Sequence, residues 1–227
     1  INYNSVQLTI IEEQWKALPN YLDGQKVLPL VDVSGSMMCQ AGKNQNLTCL
    51  EVAVSLGLYC ADKNVGNFKD LMLTFSSRPE LLTLKGSILQ KIQQMVKSHW
   101  GMNTDIVAAF EKILKVAVDN NVPQEEMPDS LLIFSDMQFD ACISGGTAFE
   151  VISDRYERAG YTLPQVIFWN LNARGNNIPV SFRQAGVALV SGFSPALLKS
   201  VLSGKSLNPY QIMDDVIMVD RYKWDKS

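Results

Sequence analysis

The sequence predicts a doubly wound α/β domain: a mostly parallel, six-stranded sheet with helices on both faces and one antiparallel edge strand. Three observations carry this. Short apolar runs recur at 27–31, 71–75, 131–134, 165–169 and 187–190, and the unbroken ones are what a strand buried on both faces needs. Segments of helical periodicity lie between them, and alternating strand and helix calls for a parallel sheet covered on both sides. Polar oxygens crowd the ends of two runs, where an open sheet of this kind binds its ligands.

Taken in order, Val6, Ile10, Ile11, Trp15 and Leu18 fall at helical spacing until Pro19 ends the pattern. This predicts an N-terminal helix that packs on the sheet or links to preceding sequence. Residues 27–31 form the first buried strand. Thr48 and Glu51 make a capping box, whose side chains satisfy the orphan amides of a helix start, and that helix runs to about Asp62. It is apolar nearly all round and therefore buried. Residues 71–75 are the second strand; Arg78-Pro79 turns the chain, and 81–84 form the short antiparallel edge. Ser87 and Gln90 make a second capping box, opening an amphipathic helix to about Val96. Beyond the loop 98–105, another helix turns Ile106, Phe110, Ile113, Leu114 and Val118 inward. Residues 131–134 are the next strand. Thr147 and Glu150 form a third capping box for a helix to about Ala159, and 165–169 and 187–190 are the last strands. Ser194-Pro195 and Asn208-Pro209 each pair a cap with proline at the first helical position, so two helices close the chain, the second ending near Asp220. There is no internal repeat and no flexible linker. The expected organisation is a lead-in helix (1–26), the sheet domain (27–203) and a helical extension of that domain (204–227).

The 227 residues are 47% hydrophobic, enough for a sizeable core, and the net charge of −3 provides no basic field for nonspecific nucleic-acid binding. Cys39, Cys49, Cys60 and Cys142 include no CxxC pair, and the single histidine, His99, is distant from all of them, which argues against zinc. Free thiols in a reducing compartment are expected. No apolar run reaches the length of a membrane span, and no signal peptide precedes the first strand. The chain begins with Ile1, not Met, so a longer parent protein is expected.

The first strand ends in Asp32-Val33-Ser34-Gly35-Ser36. Alternate residues of an extended segment point the same way, so Asp32, Ser34 and Ser36 can converge, and Gly35 lets the backbone turn between the serines. Asp136 ends the strand placed beside the first and faces the same crevice, with Thr104 at a helix start in the loop between. Two carboxylates and three hydroxyls are hard oxygen ligands of the kind a small divalent cation accepts, waters completing the shell. Serines after a strand are commonly turn and cap residues, and Thr104 or Asn103 could serve only as a helix cap. The five-residue constellation outweighs that reading. Asp140 is the fallback for Asp136. His99 reads as a loop residue, Trp100 and the Met37-Met38 pair as packing groups, and the soft Cys39 thiol is wrong for a hard cation.

This constellation resembles the metal-ion-dependent adhesion site of von Willebrand factor A domains, and the resemblance covers roughly residues 27–203. The segment Gly101-Met102-Asn103-Thr104-Asp105 departs from the Gly-Gly-Thr of many members. Val187-Ala188-Leu189-Val190-Ser191-Gly192-Phe193, followed by a helix, is similar to the last strand of the A domain in TROVE proteins, the Ro-type RNA-binding ring proteins. The Trp15 helix, Val31-Asp32-Val33-Ser34-Gly35-Ser36-Met37 and the closing Asp220-Arg221-Tyr222 resemble a little-characterised family from plants, fungi, bacteria and large viruses. Its members carry a C-terminal A domain behind a helical region.

The resemblance implies a Rossmann-like fold of von Willebrand A type and a Mg²⁺ site, with Mn²⁺ or Ca²⁺ as alternatives. Ser34, Ser36 and Thr104 would bind the ion directly, and Asp32 and Asp136 often through water. A shell rich in neutral hydroxyls leaves the ion's charge poorly neutralised, so the open position favours an Asp or Glu of a partner protein. The expectation is a cytoplasmic protein-binding module with no catalytic residue and no enzyme activity. Two alternatives stand beside it. One is a metal-dependent hydrolase or phosphotransferase: Asp32 stands where haloacid-dehalogenase-type phosphatases place their nucleophile, although Ser34 replaces their second Asp. The other is a module of a ribonucleoprotein, any RNA being bound through a preceding region.

Overall fold

Every predicted strand forms. A computed structural model describes residues 5–42, 46–75, 79–97, 105–137, 147–172, 187–192 and 195–202. The strands are β1 (Val27–Asp32), β2 (Leu71–Phe75), β3 (Leu81–Thr83), β4 (Ser130–Ser135), β5 (Gln165–Asn170) and β6 (Val187–Ser191). They make one sheet in the order β3-β2-β1-β4-β5-β6. All neighbours run parallel except β2 and β3, whose antiparallel pairing makes β3 the predicted edge. The helices are α1 (Ser5–Lys16), α2 (Cys49–Lys63), α3 (Ile88–Lys97), α4 (Ile106–Asp119), α5 (Thr147–Arg158) and α6 (Pro195–Leu202). The extension predicted over 204–227, with its helix to Asp220, lies outside the described residues.

Strand periodicity divides the core in two. Val27, Val31, Met72, Leu132, Phe134, Ile167 and Trp169 face one side, where α2, α3 and α6 cover them, with Ile11 and Trp15 of α1 packed against that layer. Leu28, Leu30, Leu73, Leu131, Ile133 and Phe168 face the other, under α4 and α5. β1 and β4 are buried along their whole length, as the two central strands of a doubly wound sheet must be.

The capping boxes at Thr48 and Ser87 form as predicted. α5 already includes Thr147, so its start falls one residue earlier than a cap there would place it. α2 lies unusually close to the sheet. A Cβ on Gly57 would stand 2.3 Å from Val31 Cγ2 and 2.7 Å from Met72 Cε, so only glycine permits this approach. α1 is fastened at the lower end of the same face. Trp15 Nε1 donates to Asp62 Oδ2 at 3.0 Å, and the Glu12 carboxylate accepts from the Ile88 amide at the start of α3. Lys91 of α3 reaches Asp62 and Asp70, each at 2.6 Å.

Candidate functional site

From β1 the chain winds outward to β2 and β3, then returns to lay β4 on the other side of β1. The C-terminal ends of β1 and β4 therefore form the crevice where strand order reverses. Val31 is level with Phe134, so the next step along the strands brings Asp32 beside Ser135, and Asp136 follows immediately. Beyond β1 the chain enters a 3₁₀ turn, Gly35–Met38, with Ser34 in extended conformation at its head. The Ser34 amide donates to Asp32 Oδ1 at 2.9 Å, an Asx turn that folds the hydroxyls back over the strand end.

A continuous chain of oxygens results. Ser135 Oγ donates to Asp32 Oδ2 at 2.6 Å; Ser34 Oγ and Ser36 Oγ are 3.0 Å apart; Ser36 Oγ donates to Asp136 Oδ1 at 3.3 Å. Asp32, Ser34 and Asp136 are buried, and Ser36 is half-buried. Burial pushes the Asp32 carboxyl up to about 6; hydrogen bonds from Ser135 and Ser34 oppose this, and the negative charge of Asp136 adds to it. Met37 packs beneath, its Sδ accepting from the Asp136 amide at 3.2 Å. Met137 then leaves the strand in the left-handed region, φ +64°, uncommon outside glycine and asparagine, with its amide donating to Ser135 Oγ.

Four of the five predicted ligands, Asp32, Ser34, Ser36 and Asp136, thus come together. The fifth, Thr104, lies outside the described residues, as do Asp140, His99 and Trp100. The cap of α4 is Asp105, whose carboxylate accepts from the Ala108 amide at 3.0 Å, and not Thr104 or Asn103. Ser135, which holds Asp32, went unread in the sequence; Met37 packs as expected and in addition holds the Asp136 backbone. Strand pairing carried a signal for Ser135, because residues at the same level of β1 and β4 share the crevice.

The donor set suits a hard divalent cation: carboxylates and hydroxyls only, within one hydrogen-bonded cluster. Among the described residues no three His, Cys, Asp or Glu side chains gather as a metal centre, so an ion here would draw part of its shell from the serines. A cation beside Asp32 would favour its ionised form, against the burial that opposes it.

A family profile described as a domain of unknown function, DUF7788, matches residues 26–224. The chain belongs to the DUF7788 family. This DUF7788 chain is 32% identical over 216 residues to uncharacterized protein L728 of Acanthamoeba polyphaga mimivirus, a match covering 92% of the chain and 36% of L728. It therefore spans about a third of that relative's length. Among solved structures, the Ro (RSR) protein of Deinococcus radiodurans superposes with a TM-score of 0.57 at 18% identity, over 84% of this chain and 36% of Ro. The manganese-loaded TRAP protein of Plasmodium vivax is a weaker likeness, with a TM-score of 0.43 at 13% identity over 75% of this chain and 69% of TRAP. The DUF7788 fold is of von Willebrand A type and resembles that of Ro. No helix among the described residues is long and apolar enough to cross a membrane.

Proposed function

We propose that this DUF7788 domain is a protein-binding module that captures an Asp or Glu of a partner through a divalent cation, Mg²⁺ in the cell. The convergence of Asp32, Ser34, Ser36 and Asp136 at the β1/β4 crevice supports this reading. Ser34, Ser36 and Thr104 would hold the ion, with Asp32 and Asp136 acting through water. Neutral hydroxyls leave much of the ion's charge unbalanced, so an anionic oxygen in the remaining position gains most. The site is read as binding, not catalytic: Ser34 stands two residues after Asp32, where a phosphatase of the haloacid-dehalogenase kind has its acid/base Asp. The domain works in the cytoplasm, where Cys39, Cys49 and Cys60 are free thiols in the resting protein.

Titration of purified protein with Mn²⁺, followed by electron paramagnetic resonance, tests the site. The double variant Asp32→Ala, Ser34→Ala should bind at least about tenfold more weakly while keeping its circular-dichroism spectrum, a loss of one or two ligands' worth of free energy. Equal binding by wild type and variant would refute the assignment. A screen with generic phosphatase and nuclease substrates addresses catalysis: turnover abolished by Asp32→Asn would replace the binding reading with an enzymatic one.

A further inference from the structure

We propose that Cys39 and Cys49 are a reversible disulfide pair that clips the site loop to the start of α2. Cys39 directly follows the 3₁₀ turn that carries Ser36, and its amide donates to the Ser36 carbonyl at 3.1 Å. Cys49 is the first residue of α2. Between them an antiparallel bridge pairs Gln40 with Thr48, flanked by hydrogen bonds from the Cys49 amide to the Cys39 carbonyl at 2.9 Å and from the Ala41 amide to the Leu47 carbonyl at 2.8 Å. The two cysteines are therefore cross-strand neighbours, and their sulfurs stand 3.4 Å apart. Cross-strand partners of this kind have Cα atoms about 5.5 Å apart, inside the range a disulfide spans. Bond formation needs the sulfurs to close by only about 1.4 Å.

The two thiols are placed for different parts in the reaction. Cys39 is half-buried, so a small oxidant can reach its sulfur, which accepts a hydrogen bond from Asn172 Nδ2 at 3.6 Å. Cys49 is fully buried and donates to the Leu171 carbonyl at 3.5 Å; burial, together with the neighbouring Cys39 sulfur, pushes its thiol up to about 12. Cys39 is thus the attacking sulfur and Cys49 the resolving one. The oxidant is a peroxide. The Cys39 thiolate attacks one peroxide oxygen, an S–O bond forms, the O–O bond breaks, and hydroxide leaves and is protonated to water. Cys49 sulfur then attacks Cys39 sulfur; the S–S bond forms, the S–O bond breaks, and the departing hydroxide takes up the Cys49 proton. Two thiols and one hydrogen peroxide yield one disulfide and two waters, the sulfurs giving up the two electrons that reduce the peroxide.

Formation of the bond stands on the cysteine geometry alone. Its effect on the site rests on the metal-binding reading above: drawing Cys39 toward α2 moves the residue that holds the Ser36 carbonyl, and with it a proposed ligand. The test uses the full chain, reduced and then treated with hydrogen peroxide, with remaining thiols alkylated and the protein cut with trypsin. The expected product is peptide 27–43 joined to peptide 44–63 alkylated at Cys60, two hydrogen masses below their sum, with fragmentation placing the link at Cys49 and a dithiol reductant separating the two. Absence of that linked peptide, or linkage of Cys39 to Cys142 instead, overturns the pair. Mn²⁺ titration of the same samples reads the consequence: oxidation should change affinity at least several-fold in wild type, reversibly, and not in Cys39→Ser. Linked protein with unchanged affinity overturns the regulatory part while leaving the metal site intact. Reduced protein that binds no Mn²⁺ removes the metal reading, and the regulation with it, while the peptide map still decides the disulfide.

Discussion

Among the described residues a pair of carboxylates stands at each end of the sheet, and the two pairs are built differently. At the N-terminal end Asp62 and Asp70 share Lys91, with Nζ at 2.6 Å from each, and Trp15 donates to the other oxygen of Asp62. At the C-terminal end Asp32 and Asp136 are joined through Ser34, Ser36 and Ser135. No lysine or arginine among the described residues forms an ion pair with Asp32. Burial opposes ionisation in both places. It prevails at Asp32, which is pushed up to about 6; at Asp62 the hydrogen bonds and charge of Lys91 overcome it and hold the carboxyl below its ordinary value. A pair with its own counter-ion is a finished piece of structure. A carboxylate met by neutral hydroxyls, as Asp32 is, has electrostatic capacity left for a cation that arrives from outside.

That contrast is open to direct test. The largest effect is expected from Lys91→Met, which removes the charge between two partly buried carboxylates and should cost about 3 kcal/mol in urea unfolding. Next comes a matched pair of substitutions. Asp62→Asn should lose about 1–2 kcal/mol, the worth of hydrogen bonds to a charged group. Asp32→Asn in metal-free protein should fall within about 1 kcal/mol of wild type, because a neutral amide avoids the burial cost of a charge. If Asp32→Asn proves the more costly of the two, the site is a structural pair like the other and the comparison fails. The smallest effect is in acid. Asp62 has a folded-state pKa below its ordinary value, so its contribution is fully present above about pH 5 and is lost as pH falls through the folded value. Urea melts of wild type should weaken over that interval more steeply than those of Lys91→Met.

The order and types of the elements were legible because each depends on local chemistry. A continuous apolar run such as 131–134 has no stable place but the middle of a parallel sheet, and Thr48 with Glu51 satisfies a helix start wherever that helix lies. The meeting of four candidate-site residues at one crevice was legible because an Asp-x-Ser-x-Ser loop and an Asp at the end of a strand are local patterns too. The partners of those residues were not. Ser135 meets Asp32 only because β1 and β4 are adjacent at that level, and Lys91 finds Asp62 and Asp70 only through the packing of α3 on α2. The cysteines were read as separate thiols, since nothing in their ten-residue spacing announces the bridge that sets them face to face. Asp105 displaced its neighbours as the cap of α4 because helix starts are set by backbone geometry to within a residue or two.

The close seating of α2 at Gly57 ties these two ends together. The helix begins at Cys49, beside the crevice, and its final turn carries Asp62, so its 15 residues make a strut about 22 Å long between the two carboxylate pairs. Pressed against Val31 and Met72 with no room beneath it, the strut cannot rise from the sheet without pulling those side chains along. At its lower end Asp62 accepts the hydrogen bond from Trp15 of α1. One rigidly seated helix thus has the crevice at its first turn and the anchor of α1 at its last.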